Sequence, residues 1–167
     1  MRGRVSLALF CAGSIALAGT VRAQESGITV GSAAPAVRVG DLDGNTVDLG
    51  QYIGKKPMLL EFWATWCELC EELLPRIRSA RAAYGSAVEF IGINVAVNQT
   101  PARVRRYLQE HQPPFRTLYD DEGTSIRAYN VPATSYVVIV DRAGKVAYTG
   151  SGGDQDLDTP LRHVTRK

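Results

Sequence analysis

The stretch "EFWATWCELCEELLP", Glu61 to Pro75, decides how the rest of this chain is read. Cys67 and Cys70 stand three apart, after an apolar run and ahead of a segment with helical character. Such a pair is a metal site, a structural staple or a reactive dithiol. A structural zinc site takes about four ligands, and beyond its cysteines the chain offers only two distant histidines, His111 and His163. A staple across two residues closes too small a loop to restrict the unfolded chain much. The local pattern favours a reactive dithiol. "PMLLEFW" (57–63) is a short apolar run and reads as a buried strand. From Leu69 onward, Leu73, Ile77, Ala80 and Tyr84 recur at helical spacing, and Gly85 ends the helix. A strand thus delivers Cys67 to the first turn of a helix, where unpaired N–H groups and the helix dipole favour a thiolate. Cys67 is expected to be the nucleophile. Cys70, on the same helix face, is expected to resolve a mixed disulfide formed at Cys67.

The N-terminus differs from everything after it. Basic "MRGR" precedes an apolar, small-residue run of about 17 residues, and "VRA" ends at Ala23. Residues 1–23 read as a secretory signal cleaved before Gln24, with an uncleaved membrane anchor as the alternative. Cys11 does not fit a lipoprotein site, because Phe10 stands where a small residue is needed. Removing residues 1–23 takes away Arg2, Arg4 and Arg22 and no acid, leaving 16 basic residues against 17 acidic ones. The formal +2 of the whole chain therefore belongs to the leader, and no nucleic-acid surface is implied. The mature chain keeps two cysteines, which in an oxidising compartment read as a pair.

Residues 24–34 are small and polar, a linker, and residues 35–167 form one domain. "AVRVGDLDGNTVDL" reads as a β-hairpin turning at Asp43-Gly44-Asn45. "VEFIGINVAV" (88–97) is a second buried strand, and Thr100-Pro101 opens a second helix. "FRTLYD" (115–120) is a short strand and "SIRAYN" a helical turn. "SYVVIV" (135–140) and "KVAYT" (145–149) flank a turn, and a short helix follows from Asp154 on Leu157, Leu161 and Val164. The order predicts an α/β fold with a mixed central sheet flanked by helices and an N-terminal β-hairpin extension.

"FWATWCELC" resembles the Phe-Trp-Ala-x-Trp-Cys-x-x-Cys signature of the thioredoxin superfamily, and Pro75 matches the proline that kinks its active-site helix. The preceding "VGSAAPAVRVGDLDGNTVDLGQYIGKKPMLLEFW" and the later "YNVPATSYVVIVDRAGKV" are similar to the extracytoplasmic TlpA/ResA branch. The likeness runs from about Gly31 to Gly150. It implies a thioredoxin-like fold and thiol–disulfide exchange outside the cytoplasm, in the periplasm or an equivalent compartment, with no cofactor or metal. Two departures stand out. Leu69 occupies a place often held by proline or a small residue, and the position of the family's cis-proline falls, without gaps, on Ser135. Proline carries no N–H, whereas Ser135 brings an N–H and a hydroxyl toward the sulfurs, and its bond to Thr134 is expected to be trans.

The expected activity is exchange of electrons with client disulfides through Cys67 and Cys70, supplied by an upstream membrane redox donor. The membrane itself is touched only if residues 1–23 stay attached. Reduction is favoured over oxidation, because Glu68, Glu71 and Glu72 crowd the helix start and oppose a thiolate. Glu61, set among Leu59, Leu60, Phe62 and Trp63, is the candidate proton acceptor for Cys70, since a buried carboxylate without a partner turns neutral. Trp66, Thr134 and Ser135 are the candidate client-binding residues, and Trp63 is core. Two alternatives on the same fold remain. A peroxiredoxin-type peroxidase needs Pro-x-x-x-Thr-x-x-Cys, but a leucine and Ala64 stand in those places. A copper carrier needs a histidine beside the thiols, and none lies in the matching loop.

Overall fold

The computed structural model describes residues 26–166, so the leader or anchor expected over 1–23 lies outside the described residues. The chain runs β1 (Arg38–Gly40), β2 (Thr46–Asp48), a 3-10 turn (Leu49–Gln51), β3 (Met58–Trp63), α1 (Glu68–Tyr84), β4 (Glu89–Asn94), α2 (Pro101–His111), β5 (Arg116–Tyr119), α3 (Thr124–Ala128), β6 (Tyr136–Val140), β7 (Val146–Ser151) and α4 (Asp158–Thr165). The β1–β2 hairpin turns where the sequence predicts. The Asp41 carboxylate accepts from the N–H groups of Asp43 and Asn45, both at 2.9 Å, and Gly44 takes the positive φ of 83° that the turn requires. Thr100 caps α2 by accepting from the Arg103 N–H at 3.2 Å, with Pro101 in the first turn.

The strands form one sheet in the order β2-β1-β5-β4-β3-β6-β7. β3, β4 and β5 are parallel and the remaining pairings antiparallel, which gives the mixed sheet expected from the element order. β3 lies in its interior and is buried at all six residues. Its side chains alternate between faces. Leu60 and Phe62 pack with Tyr129 and Tyr136, whose ring centroids lie 5.7 and 6.1 Å from that of Phe62. Leu59 packs with Leu73, Ile77 and Ala80 of α1 and with Leu157 and Leu161 near α4. Trp63 meets Tyr107 of α2 at 5.2 Å and Phe115 at 5.8 Å between centroids. Fully burying aliphatic side chains of this size is worth about 1.5–3 kcal/mol each, so α1 is held by its apolar stripe rather than by its helical propensity.

Residues 26–34, expected as a linker, lie along the sheet. The Gly31 N–H donates to the Val146 carbonyl at 2.7 Å and the Ala34 N–H to the Gly144 carbonyl at 2.9 Å. The Ile28 N–H donates to the Tyr136 hydroxyl at 3.1 Å. Gly27, at φ 106°, passes so close to that hydroxyl that a Cβ would stand 2.2 Å from it. Pro75 sits inside α1, where it has no N–H to give to the preceding turn.

Candidate active site

β3 ends at Trp63, and three residues later the chain enters α1 with Cys67 at its cap, φ −91° and ψ 102°. Cys67 and Cys70 are joined as a disulfide with their Cα atoms 5.3 Å apart. The Cys67 Sγ accepts from the Cys70 N–H at 3.1 Å. Each cysteine is 5% exposed, so burial does not distinguish them, and they differ in their positions on the helix. Cys67 faces the unpaired N–H groups of the first turn, while Cys70 lies one turn inward with the buried stripe of Leu73 and Ile77. Glu68, Glu71 and Glu72 are exposed around them. Trp66 is 44% exposed, and its indole N–H is anchored on the Val97 carbonyl at 2.8 Å. Leu69, between the cysteines, is 48% exposed.

Glu61, in the strand that leads into this turn, is 2% exposed. Its strand neighbours at two residues' distance are Leu59, which packs on α1, and Trp63, which packs on α2, so its side chain is on the helix-covered face. Its partners across the sheet are Gly92 and Val137, and neither side chain is polar. The place a side chain at 92 would take is filled by Phe115, whose ring is 2.2 Å from the position of a Cβ there. Desolvation alone pushes the Glu61 carboxyl up, to about 8. Tyr107 feels the same environment. Burial first, then the charges of Glu71 and Glu61, push its hydroxyl up to about 12.

Ser135 stands at the start of β6 and is fully buried. No peptide bond among the described residues is cis, and Ser135 has a positive φ of 58°. Its hydroxyl lies 3.2 Å from the Leu69 carbonyl and 3.0 Å from the Gly152 carbonyl. The serine therefore faces the dithiol turn, but its hydroxyl meets carbonyls rather than sulfurs, where sequence reasoning placed it. Thr134 is half-buried beside it, and Pro132 is exposed. Gln155, which sequence reasoning passed over, is buried beneath this loop and donates to the carbonyls of Ser135 at 3.0 Å and Gly152 at 2.7 Å. Its one signal in the sequence is a polar residue two before the apolar Leu157. Among the described residues no group of three or more His, Cys, Asp or Glu side chains is arranged to hold a metal ion.

A protein-family model described as Redoxin matches residues 29–161. The chain belongs to the Redoxin family. It is 28% identical over 145 residues to the thiol-disulfide oxidoreductase ResA of Bacillus thuringiensis subsp. konkukian, covering 85% of this chain and 82% of that one. It is 27% identical over 167 residues to ResA of Geobacillus kaustophilus, covering 98% and 94%. The thioredoxin domain of a thiol-disulfide oxidoreductase from Bacteroides vulgatus superposes with a TM-score of 0.70 at 23% identity, covering 82% of this chain and 99% of that domain. The fold is thioredoxin-like. With its cysteine pair at the head of α1, this Redoxin chain is a thioredoxin-like thiol–disulfide oxidoreductase. Among the described residues no helix is long and apolar enough to cross a membrane.

Proposed function

We propose that this protein is exported and works outside the cytoplasm as a reductant of disulfides in client proteins, recharged by a membrane redox donor. The observation that carries the reading is the Cys67–Cys70 disulfide, with Cys67 at the cap of α1 and the Cys70 N–H on its sulfur at 3.1 Å. In the reduced protein the Cys67 thiolate attacks one sulfur of a client disulfide. A mixed disulfide forms and the first client thiolate leaves. Cys70 loses its proton and attacks the Cys67 sulfur, which releases the second client thiol and closes the Cys67–Cys70 bond. The client gains two electrons and the dithiol loses two.

Glu61 is the proposed acceptor of the Cys70 proton. It is buried, lacks a charged partner across the sheet and stands near neutrality in its affinity for a proton. Trp66 is the proposed client-facing platform, with half-buried Thr134 on the opposite lip and Ser135 buried behind it. Export rests on the pattern of residues 1–23 and on the likeness to ResA. The reducing direction rests on the three glutamates around the first turn, since each disfavours the thiolate of the reduced form.

The test is the reduction potential of the pair together with an insulin-type reduction assay. A value near that of thioredoxins, about −270 mV, with turnover of insulin disulfides, is expected. A value near the strong oxidants, about −120 mV, would reverse the direction. In Cys70→Ser, clients should accumulate as mixed disulfides on Cys67, and trapping on position 70 in Cys67→Ser instead would overturn the division of roles.

A further inference from the structure

The hydroxyl of Ser135 has one proton and two carbonyls within reach, Leu69 at 3.2 Å and Gly152 at 3.0 Å. Gly152 already has a donor, because the Gln155 amide reaches it at 2.7 Å while its other N–H holds the Ser135 carbonyl at 3.0 Å. A carbonyl takes two donors, so the serine proton is shared between Gly152 and Leu69, whose carbonyl also faces the Leu73 N–H within α1. The Leu69 carbonyl belongs to the same peptide unit as the Cys70 N–H, and that N–H points at the Cys67 sulfur at 3.1 Å. The Cys70 N–H also lies 3.1 Å from the Cys67 carbonyl, but the Glu71 N–H reaches that carbonyl as well, at 3.3 Å. The result is one line of dipoles: Ser135 O–H to Leu69 C=O, then Cys70 N–H to Cys67 sulfur. A donor on an amide oxygen polarises the amide and makes its N–H a stronger donor, so hydrogen bonds in series reinforce one another.

We propose that Ser135, held in place by Gln155, acts through the Leu69–Cys70 peptide to favour the Cys67 thiolate, and that the two residues position and tune the nucleophile without touching it. The inference rests on the proposed role of Cys67 as the attacking thiol. Strong backing is needed at this site. The titratable groups nearest the pair are Glu61 on β3, Glu68, Glu71 and Glu72 at the start of α1, and Asp154 and Asp156 in the β7–α4 loop, all acids; the cations of α1, Arg76, Arg78 and Arg81, come in its later turns, with Arg78 on the His111 carbonyl. Segments 95–99 and 130–135 bring no charge of either sign. With acids and no cation in the first turn of α1, the thiolate depends on N–H donors, and the serine strengthens one of them. The positive φ of Ser135 has a use in this light: it is the backbone conformation in which the hydroxyl is set between the Leu69 and Gly152 carbonyls.

The experiment is the pH dependence of alkylation at Cys67 in the reduced full chain, followed by peptide mapping so that Cys70 and Cys11 are read separately. Strengthening of one charge-assisted bond by about 10–30% corresponds to a few tenths of a pH unit. Ser135→Ala should therefore raise the Cys67 pKa by that much and slow its alkylation about two- to fourfold on the acid side of the curve. Gln155→Leu frees the serine proton for Gly152 and should shift the pKa the same way, with no further shift in the double variant. Ser135→Thr keeps a hydroxyl and should keep the low pKa, although a branched residue at positive φ lowers Tm. A Cys67 pKa unchanged in Ser135→Ala, whatever happens to Tm, overturns the proposal and leaves the serine a structural residue. Failure of the unmutated chain to reduce insulin would instead overturn the proposed function, so the two results are read apart.

Discussion

Glu61 stands between two strand neighbours that offer it nothing polar, Gly92 on β4 and Val137 on β6. A carboxyl in that setting is stable only while it keeps its proton. In the fold its proton leaves at about 8, against 4.5 for a glutamate in water. The folded chain then binds the proton more tightly than the unfolded one, so stability falls as pH rises from 4.5 to 8 and is level on either side. The loss across that window is on the order of 5 kcal/mol at most. Glu61→Gln should show no such fall, and the difference between the two urea-unfolding curves, measured at pH 5 and pH 9, isolates this one group. The same variant should slow the release of mixed disulfides and flatten its pH profile between those values; an unchanged rate and profile would remove Glu61 from the exchange step. That Glu61 is buried was legible in the apolar run around it. That it has no polar partner across the sheet was not, because the neighbours of a central strand come from residues 31 and 76 positions away in the chain.

At the scale of elements, α1 does two jobs with opposite demands. Its first turn offers the unpaired N–H groups that favour a thiolate at Cys67, yet it also carries Glu68 and Glu71. Acids there stabilise the helix by about 0.3–1 kcal/mol each and disfavour the thiolate by a comparable amount. Glu68→Gln and Glu71→Gln should each raise the reduction potential by about 6–20 mV, since 30 mV corresponds to about 1.4 kcal/mol, and should cost a few tenths of a kcal/mol or more in stability. No change in potential would mean that the acids serve the helix alone and would remove the main support for the reducing direction. A second prediction concerns β4. Gly92→Ala puts a Cβ 2.2 Å from the Phe115 ring, and overpacking of that kind costs about 1–3 kcal/mol, measurable as a lower urea midpoint with an unchanged slope. The elements themselves were readable. Alternation, capping residues and the 3.6-residue spacing of Leu73, Ile77 and Ala80 mark α1, β3 and α2 within a residue or two of where they lie, while the run 88–97 overshoots the end of β4 at Asn94 by three residues. The clasp of Gln155 on the Ser135 and Gly152 carbonyls was not readable, because a backbone carbonyl carries no identity in a sequence and the contact joins the start of β6 to the loop after β7.

Across the whole molecule, the dithiol turn is fastened from both sides of the sheet's far end. Gly153 packs on Glu72 so closely that a Cβ would come within 2.5 Å of it, which seats the β7–α4 loop on α1. The opposite end of the same β6–β7 pair is tied by residues 26–34. The Val146 N–H donates to the Ser32 carbonyl at 2.9 Å, and the Val146 carbonyl accepts from the Gly31 N–H. At the start of β6 the Tyr136 hydroxyl accepts from the Ile28 N–H, and the Asn130 side-chain amide donates to the Gly27 carbonyl at 3.2 Å. If the domain began at residue 35, a chain starting there would be as stable as one starting at Gln24. The contacts argue otherwise. Each of these hydrogen bonds is worth about 0.5–1.5 kcal/mol net, Val146 sits on the edge strand β7 and turns its N–H and C=O to the strap, and cutting before Pro35 leaves buried Tyr136 without the Ile28 donor at its hydroxyl. The truncated chain should lose several degrees in Tm and expose the amides of Val146 and its neighbours to faster hydrogen exchange, while its Cys67–Cys70 reduction potential stays within about 10 mV of the longer chain, because the strap's hydrogen bonds go to Asn130, Tyr136, Gly144 and Val146 and none to Trp66–Cys70. Equal Tm and equal exchange at Val146 would make residues 26–34 a linker after all; a large change in potential would mean that the strap reaches the active site through β6 and Ser135.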